Sequence, residues 1–147
     1  MQNERFKVIA ATHLFLVKQG KILLLRRFNT GFEDGNYSVP AGHLDGKETA
    51  MQATIREAKE EAGIEIKPED MEAVHVMNRL SGGVERIDFF FKAEKCTGEP
   101  RNTEPHKCDG LGWFEIEKLP ENMVPYVRQA IICMHKGDFY SEFGWEK

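Results

Sequence analysis

One stretch, from Gly42 to Ile64, constrains this chain more than any other. It reads Gly, five residues, Glu, seven residues, then Arg-Glu-Ala-Lys-Glu-Glu-Ala-Gly-Ile. Residues at i, i+3 and i+4 of a helix are neighbours. A helix from about Glu48 to Ala62 therefore puts Glu57, Glu60 and Glu61 on one face. At about 100° per residue the three span about a quarter of the circumference. Met51, Ile55, Ala58 and Ala62 fall nearly opposite, an apolar stripe suited to docking on a core. Gly63 is placed as a left-handed C-cap. Like charges at i,i+4 destabilise a helix by a few tenths of a kcal/mol per pair, and a cation between them removes that cost. Hard oxygen donors suit Mg²⁺ or Mn²⁺. Clustered Glu alone is more often a solvated face, with Arg56 and Lys59 balancing the charge.

The full pattern shifts that weighting, because Gly42, Glu48, Arg56, Glu57, Glu60, Glu61 and Gly63 agree together. They form a Nudix box, and the chain resembles a small MutT-like Nudix hydrolase. The flanks agree. Gly35-Asn36-Tyr37-Ser38-Val39-Pro40-Ala41-Gly42 looks like the strand and turn that lead into such boxes, and Trp113-Phe114 followed by Leu119-Pro120 looks like the late strand and final helix entry. Tyr37 stands where many relatives have Trp, and Ala41 where many have Gly; neither change removes a ligand.

At 147 residues the chain suits one domain, 1–147, with a sizeable core. Apolar and charged fractions of 41% and 30% are those of a globular protein. No apolar run reaches the ~20 residues of a membrane span, and the start Met1-Gln2-Asn3-Glu4-Arg5 has no signal-peptide pattern. Cys96, Cys108 and Cys133 form neither a disulfide framework nor a zinc motif, so a reducing cytoplasm is the expected location. The net charge of −4 argues against a nucleic-acid polymer as partner but not against a small nucleotide, whose charge a divalent ion offsets.

Apolar periodicity predicts one strand from Phe6 to Val17, or two with a break, turning at Gln19-Gly20 into a returning strand over Lys21–Arg27. A loop over 28–36, a short strand over 37–39 and a turn over 42–47 lead to the helix. Strands over 71–80 and 86–93 form a hairpin about Ser81-Gly82-Gly83, and Phe89-Phe90-Phe91 marks a central strand. A long polar loop over 94–109, a strand over 111–116 and a helix over 121–136 follow. The aromatic tail from Gly137 is expected as a sheet edge or as the contact of a homodimer. Periodicity alone gives α/β or α+β; the family resemblance implies an α/β/α sandwich around a curved mixed sheet.

The resemblance also implies an activity: metal-dependent hydrolysis of a nucleoside diphosphate linked to another group. Glu57, Glu60 and Glu61 are then direct or water-bridged ligands of Mg²⁺ or Mn²⁺, with a carbonyl of Ala41 or Gly42 beside them. Glu104, in the long loop, is similar to a loop carboxylate that takes the proton or adds a ligand in some members. Glu48 and Arg56 are expected to form a positioning ion pair, although a helical wheel sets Glu48 about 180° from Glu57. Gly42 and Gly63 serve the backbone, and Ala53 leaves space above the metal. Arg26, Arg27 and, more weakly, Lys107 are phosphate candidates, although arginines at such positions are more often simply solvated. Phe28, Phe32 and Tyr37 could stack on a base, though aromatics are more often core. Asn122 either reads a base edge or caps the last helix. The five histidines show no ligand spacing and read as surface or core. The expected substrate is a (d)NTP or modified NTP, cleaved to NMP and pyrophosphate. The alternatives are ADP-ribose, nucleotide sugars, dinucleoside polyphosphates, or a nucleotide-sensing module that does not cleave.

Overall fold

A computed structural model describes residues 4–145. Met1–Asn3, part of the leading segment read above, and Glu146 and Lys147, part of the aromatic tail, lie outside the described residues.

The first strand, β1 (Ile9–Lys18), is a single uninterrupted strand, and its middle is buried on both faces. Gln19 and Gly20 both take positive φ, at 54° and 76°, the geometry that a tight two-residue hairpin needs. The chain then returns as β2 (Lys21–Arg27). Alternation sorts these side chains into two layers. Phe15, Val17, Ile22 and Leu24 face one core together with Met77 and Phe90. Leu14, Leu16 and Leu23 face another together with Phe91 and Ala93. Buried on both faces, such strands require a helix on each side.

Both helices are present. Helix α1 (Ala50–Ala62) covers the second core with Ala58 and Ala62, while Met51 and Ile55 pack against it half-buried. Helix α2 (Pro125–Lys136) covers the first with Val127, Ala130 and Ile131. Between them lies an eight-stranded mixed sheet completed by β3 (Tyr37–Ser38), β4 (Ala41–His43), β5 (Met71–Ser81), β6 (Val84–Ala93), β7 (Cys108–Glu115) and β8 (Tyr140–Phe143). Its order is β3-β2-β1-β6-β5-β8, with β4 on β1 and β7 on β2. The β1–β6 and β5–β8 pairs are parallel and the rest antiparallel. Truncating Phe90, which stacks on His13 and tilts against Phe15, would cost about 3–5 kcal/mol.

Four of the boundaries that differ from the sequence reading bear on the site and on the starts of the two helices. Helix α1 starts at Ala50, because Thr49 is its N-cap. The Thr49 hydroxyl accepts from the Gln52 N–H at 3.0 Å, and the Gln52 side chain accepts from the Thr49 N–H at 2.9 Å. Glu48 therefore precedes the helix, and the wheel that set it opposite Glu57 does not apply. The expected turn at Gly42 is instead strand β4, registered on β1 through Ala11–His43 and Thr12–Gly42. Strand β7 begins at Cys108, three residues before Leu111. Helix α2 begins at Pro125 rather than Glu121: proline lacks an N–H and disfavours helix in the residue before it, so it belongs at the first helical position. Gly63, at φ 67°, is the left-handed C-cap as expected. The described tail packs as the sheet edge β8. No described helix is long and apolar enough to cross a membrane.

Candidate active site

The acidic face of α1 turns toward the ends of β2, β3 and β4, and Glu57, Glu60 and Glu61 line one cavity of about 510 Å³ there. Gly42 explains how the helix sits so close. A Cβ at that position would lie 1.9 Å from Glu57 Oε2, so only glycine lets β4 pass against the carboxylate. Glu61 points at the neighbouring residue, where the Ala41 N–H donates to its Oε1 at 3.3 Å.

Arg56 organises the flank. Its Nε and one terminal nitrogen grip Glu48 at 3.2 and 2.8 Å, a bidentate pair. The other nitrogen donates to Glu57 Oε2 at 3.0 Å and Glu60 Oε1 at 3.4 Å. Glu48 thus ties the turn before α1 to the acidic face. Hydrogen bonding to Arg56 holds its carboxyl below the usual range. Glu57 is mostly buried, whereas the Glu60 side chain is 52% exposed and accessible to a ligand.

A fourth carboxylate arrives from the long loop, which is docked on the C-terminal end of α1. The Arg101 N–H donates to the Ala62 carbonyl at 2.9 Å, its guanidinium to the Gly63 carbonyl at 3.4 Å, and the Thr103 hydroxyl to the Glu60 carbonyl. These bonds satisfy the carbonyls left over at a helix end. Asn102 closes the next turn, accepting from the Glu104 N–H at 3.0 Å and donating to the Cys108 carbonyl at 2.6 Å. Glu104 and Lys107 consequently line the same cavity as the helix carboxylates. Arg26 and Arg27 line it as well. Arg26 is held by Asp109 at 2.7 Å, and Arg27 by the Phe32 carbonyl at 2.6 Å and the Thr30 hydroxyl at 3.0 Å.

The electrostatics are unbalanced. Burial, with the hydrogen bond and charge of Glu57 and the charge of Glu104, pushes the Glu61 carboxyl well above the usual carboxylate range. A proton here does what a cation does elsewhere: it relieves repulsion between adjacent carboxylates. Among the described residues, no three Asp, Glu, His or Cys side chains converge closely enough to hold an ion between them. Arg56 draws Glu57 and Glu60 aside, and Glu61 leans on Ala41. The donor set still fits a hard divalent cation, being all oxygen, crowded and short of positive charge.

Other expected site residues lie elsewhere. Phe28 is exposed and does not line the cavity; its N–H bonds the Lys107 carbonyl at 2.9 Å. Asn122 neither caps α2 nor reaches the cavity. The helix starts three residues later, and the Asn122 amide instead donates to the Gly35 carbonyl at 2.9 Å. Tyr37 packs edge-on against Phe114. Ala53 is fully buried and leaves no space at the site. Thr103 and Asn102, which fix the loop, escaped the sequence reading because neither residue type announces a long-range contact.

Comparison with known proteins identifies the family and the fold. A model of the NUDIX domain matches residues 7–132. The phosphatase NudJ of Escherichia coli strain K12 is 27% identical over 135 residues, covering 86% of each chain. The crystal structure of a MutT Nudix hydrolase from Burkholderia pseudomallei superposes with a TM-score of 0.79 at 28% identity, covering 86% of this chain and 98% of that one. A MutT protein from Methanosarcina mazei shares the fold alone, at TM-score 0.76 and 19% identity, over 91% and 97%. With its box on α1 and its sheet between two helices, the chain belongs to the Nudix family of hydrolases, which act on pyrophosphate bonds.

Proposed function

We propose that the chain, acting as one domain, is a pyrophosphohydrolase that depends on Mg²⁺ or Mn²⁺ and cleaves a (d)NTP or modified NTP to NMP and pyrophosphate. The observation that carries this is the meeting of Glu57, Glu60, Glu61 and Glu104, from two separate segments, in one cavity that Arg26, Arg27 and Lys107 also line. The three helix carboxylates would hold the metal, with a carbonyl of Ala41 or Gly42 as a further donor. A divalent ion there offsets the charge of the diphosphate oxygens and acidifies water.

The chain's own residues do the rest. Arg26, Arg27 and Lys107 orient the phosphates by charge-assisted hydrogen bonds. Arg56 keeps Glu57 and Glu60 in place. Glu104, carried on a loop locked to α1, accepts the proton as water adds to phosphorus and the bridging P–O bond breaks, the leaving phosphate oxygen taking the electron pair.

The substrate class rests on the names of the neighbours, a phosphatase and MutT proteins. It also rests on the stretch after the box, where Arg79, Leu80 and Ser81 stand in place of the Pro or Tyr that distinguishes some other subfamilies. ADP-ribose, nucleotide sugars and dinucleoside polyphosphates are the runner-up substrates. A sensing module is disfavoured because all four box glutamates and Arg56 are present.

The test is incubation with Mg²⁺ and a nucleotide panel, resolving monophosphate from pyrophosphate or phosphate. Release of NMP and pyrophosphate supports the reading; binding across the panel with no product identifies a sensor.

A further inference from the structure

Beside the acidic cavity lies a second, of about 430 Å³, which shares Arg27 and Ala41 with it. Its chemistry is reversed. No Asp or Glu lines it, whereas Arg27, Arg79 and Arg86 do. Arg79 and Arg86 sit directly opposite each other on β5 and β6, a placement in which like charges weaken a sheet.

One of the two is compensated. Arg79 donates to both oxygens of the buried Asp88, at 2.6 and 3.2 Å, and its guanidinium lies 3.7 Å from the Tyr126 ring centroid. Arg86 is not. One terminal nitrogen stands 3.5 Å from His43 Nε2, it makes no ion pair among the described residues, and its Nε is buried without a hydrogen-bond partner. A buried donor left without an acceptor is destabilising, more so on a charged group. That cost vanishes when a ligand supplies the acceptor, and an anion also neutralises the charge.

Resting on the hydrolase reading above, we propose that this second cavity is an anion subsite. In it Arg86, with His43 and Arg27 beside it, receives a phosphoryl or carboxylate group at the end of the substrate remote from the scissile diphosphate. The preferred substrate is then a diphosphate ester bearing a second anionic group. A neutral base could accept from the same guanidinium, but it would leave the charge uncompensated.

The test follows the Arg86 Nε–Hε resonance in ¹⁵N-labelled protein with Mg²⁺ present, assigned by its loss in Arg86→Gln. Inorganic phosphate, acetate and guanosine are titrated separately. The inference expects saturable shifts with phosphate or acetate and none with guanosine. The tighter of the two anions identifies the group as phosphoryl or carboxylate. In Arg86→Gln the affinity, now read at His43, falls about tenfold. A guanosine response equal to that of the anions overturns the proposal, as does an Arg86 resonance that no probe moves. Should the variant fail to fold, the wild-type titrations still decide. No turnover is involved, so a protein that cleaves nothing in the nucleotide panel loses the catalytic reading and the substrate assignment but keeps the anion site, whereas an unresponsive Arg86 in an active enzyme loses the anion site alone.

Discussion

Two groups of charges occupy this fold, and they are built on opposite terms. At Arg79–Asp88, acid and base are both buried and paired bidentately, with Tyr126 stacked on the guanidinium. On α1, three carboxylates line a cavity with Glu104, Arg56 organises them from the flank, and Glu61 resists ionisation. The first group is complete without any ligand, which marks a structural element. In the second, Arg56 pairs with Glu57 and Glu60 while Glu61 and Glu104 make no ion pair among the described residues, and groups with displaced titration in a cleft mark chemistry. Charge clustering alone does not separate the two; incomplete compensation does.

The comparison breaks most readily at Glu60. Glu60→Gln should lower metal-dependent turnover about a thousandfold, or ~4 kcal/mol, with little change in melting temperature because the side chain is half exposed. A thermal melt beside the assay separates the two effects, and wild-type activity would remove α1 from the mechanism. The structural group should behave the other way. Asp88→Ala leaves Arg79 buried and unpaired at a cost of about 3–5 kcal/mol, read as a lowered urea midpoint.

A pH effect of about 3 kcal/mol comes from His13. Burial pushes its pKa down from 6.5 to about 4, against the opposing charge of Asp88. Between those values the unfolded chain binds the proton and the folded one does not. Its contribution is therefore full above pH 6.5 and is lost as pH falls toward 4. Urea midpoints at pH 7 and 4.5 measure it, and His13→Gln should flatten the difference.

Glu104→Gln should cost about a hundredfold in turnover, less than Glu60→Gln; a loss equal to that of Glu60 would make the loop carboxylate an equal partner. Smallest is Thr49→Ala, about 1 kcal/mol from the lost N-cap, visible in the urea midpoint and absent from turnover.

The sequence read well wherever spacing and periodicity carry the information. Strand β2 and the C-cap at Gly63 fall where expected, and the alternating apolar residues of β1 and β2 imply both helical layers. It read poorly where long-range contacts decide. Asn122 looked like a cap because the apolar period extends upstream of Pro125, yet the proline sets the start of α2. Glu48 looked remote because a wheel was extended past Thr49. Arg86 was legible in principle: the hairpin about Gly82-Gly83 sets it opposite Arg79, and only the lack of an acid for it had to be learned from packing.

The most direct test of the acidic site is a Mn²⁺ titration followed by electron paramagnetic resonance, with wild-type protein and Glu57→Gln side by side. The account predicts saturable loss of the free-ion signal in the wild type and at least about tenfold weaker binding in the variant. A wild type that leaves the free-ion spectrum untouched, or a variant that binds equally well, would contradict it.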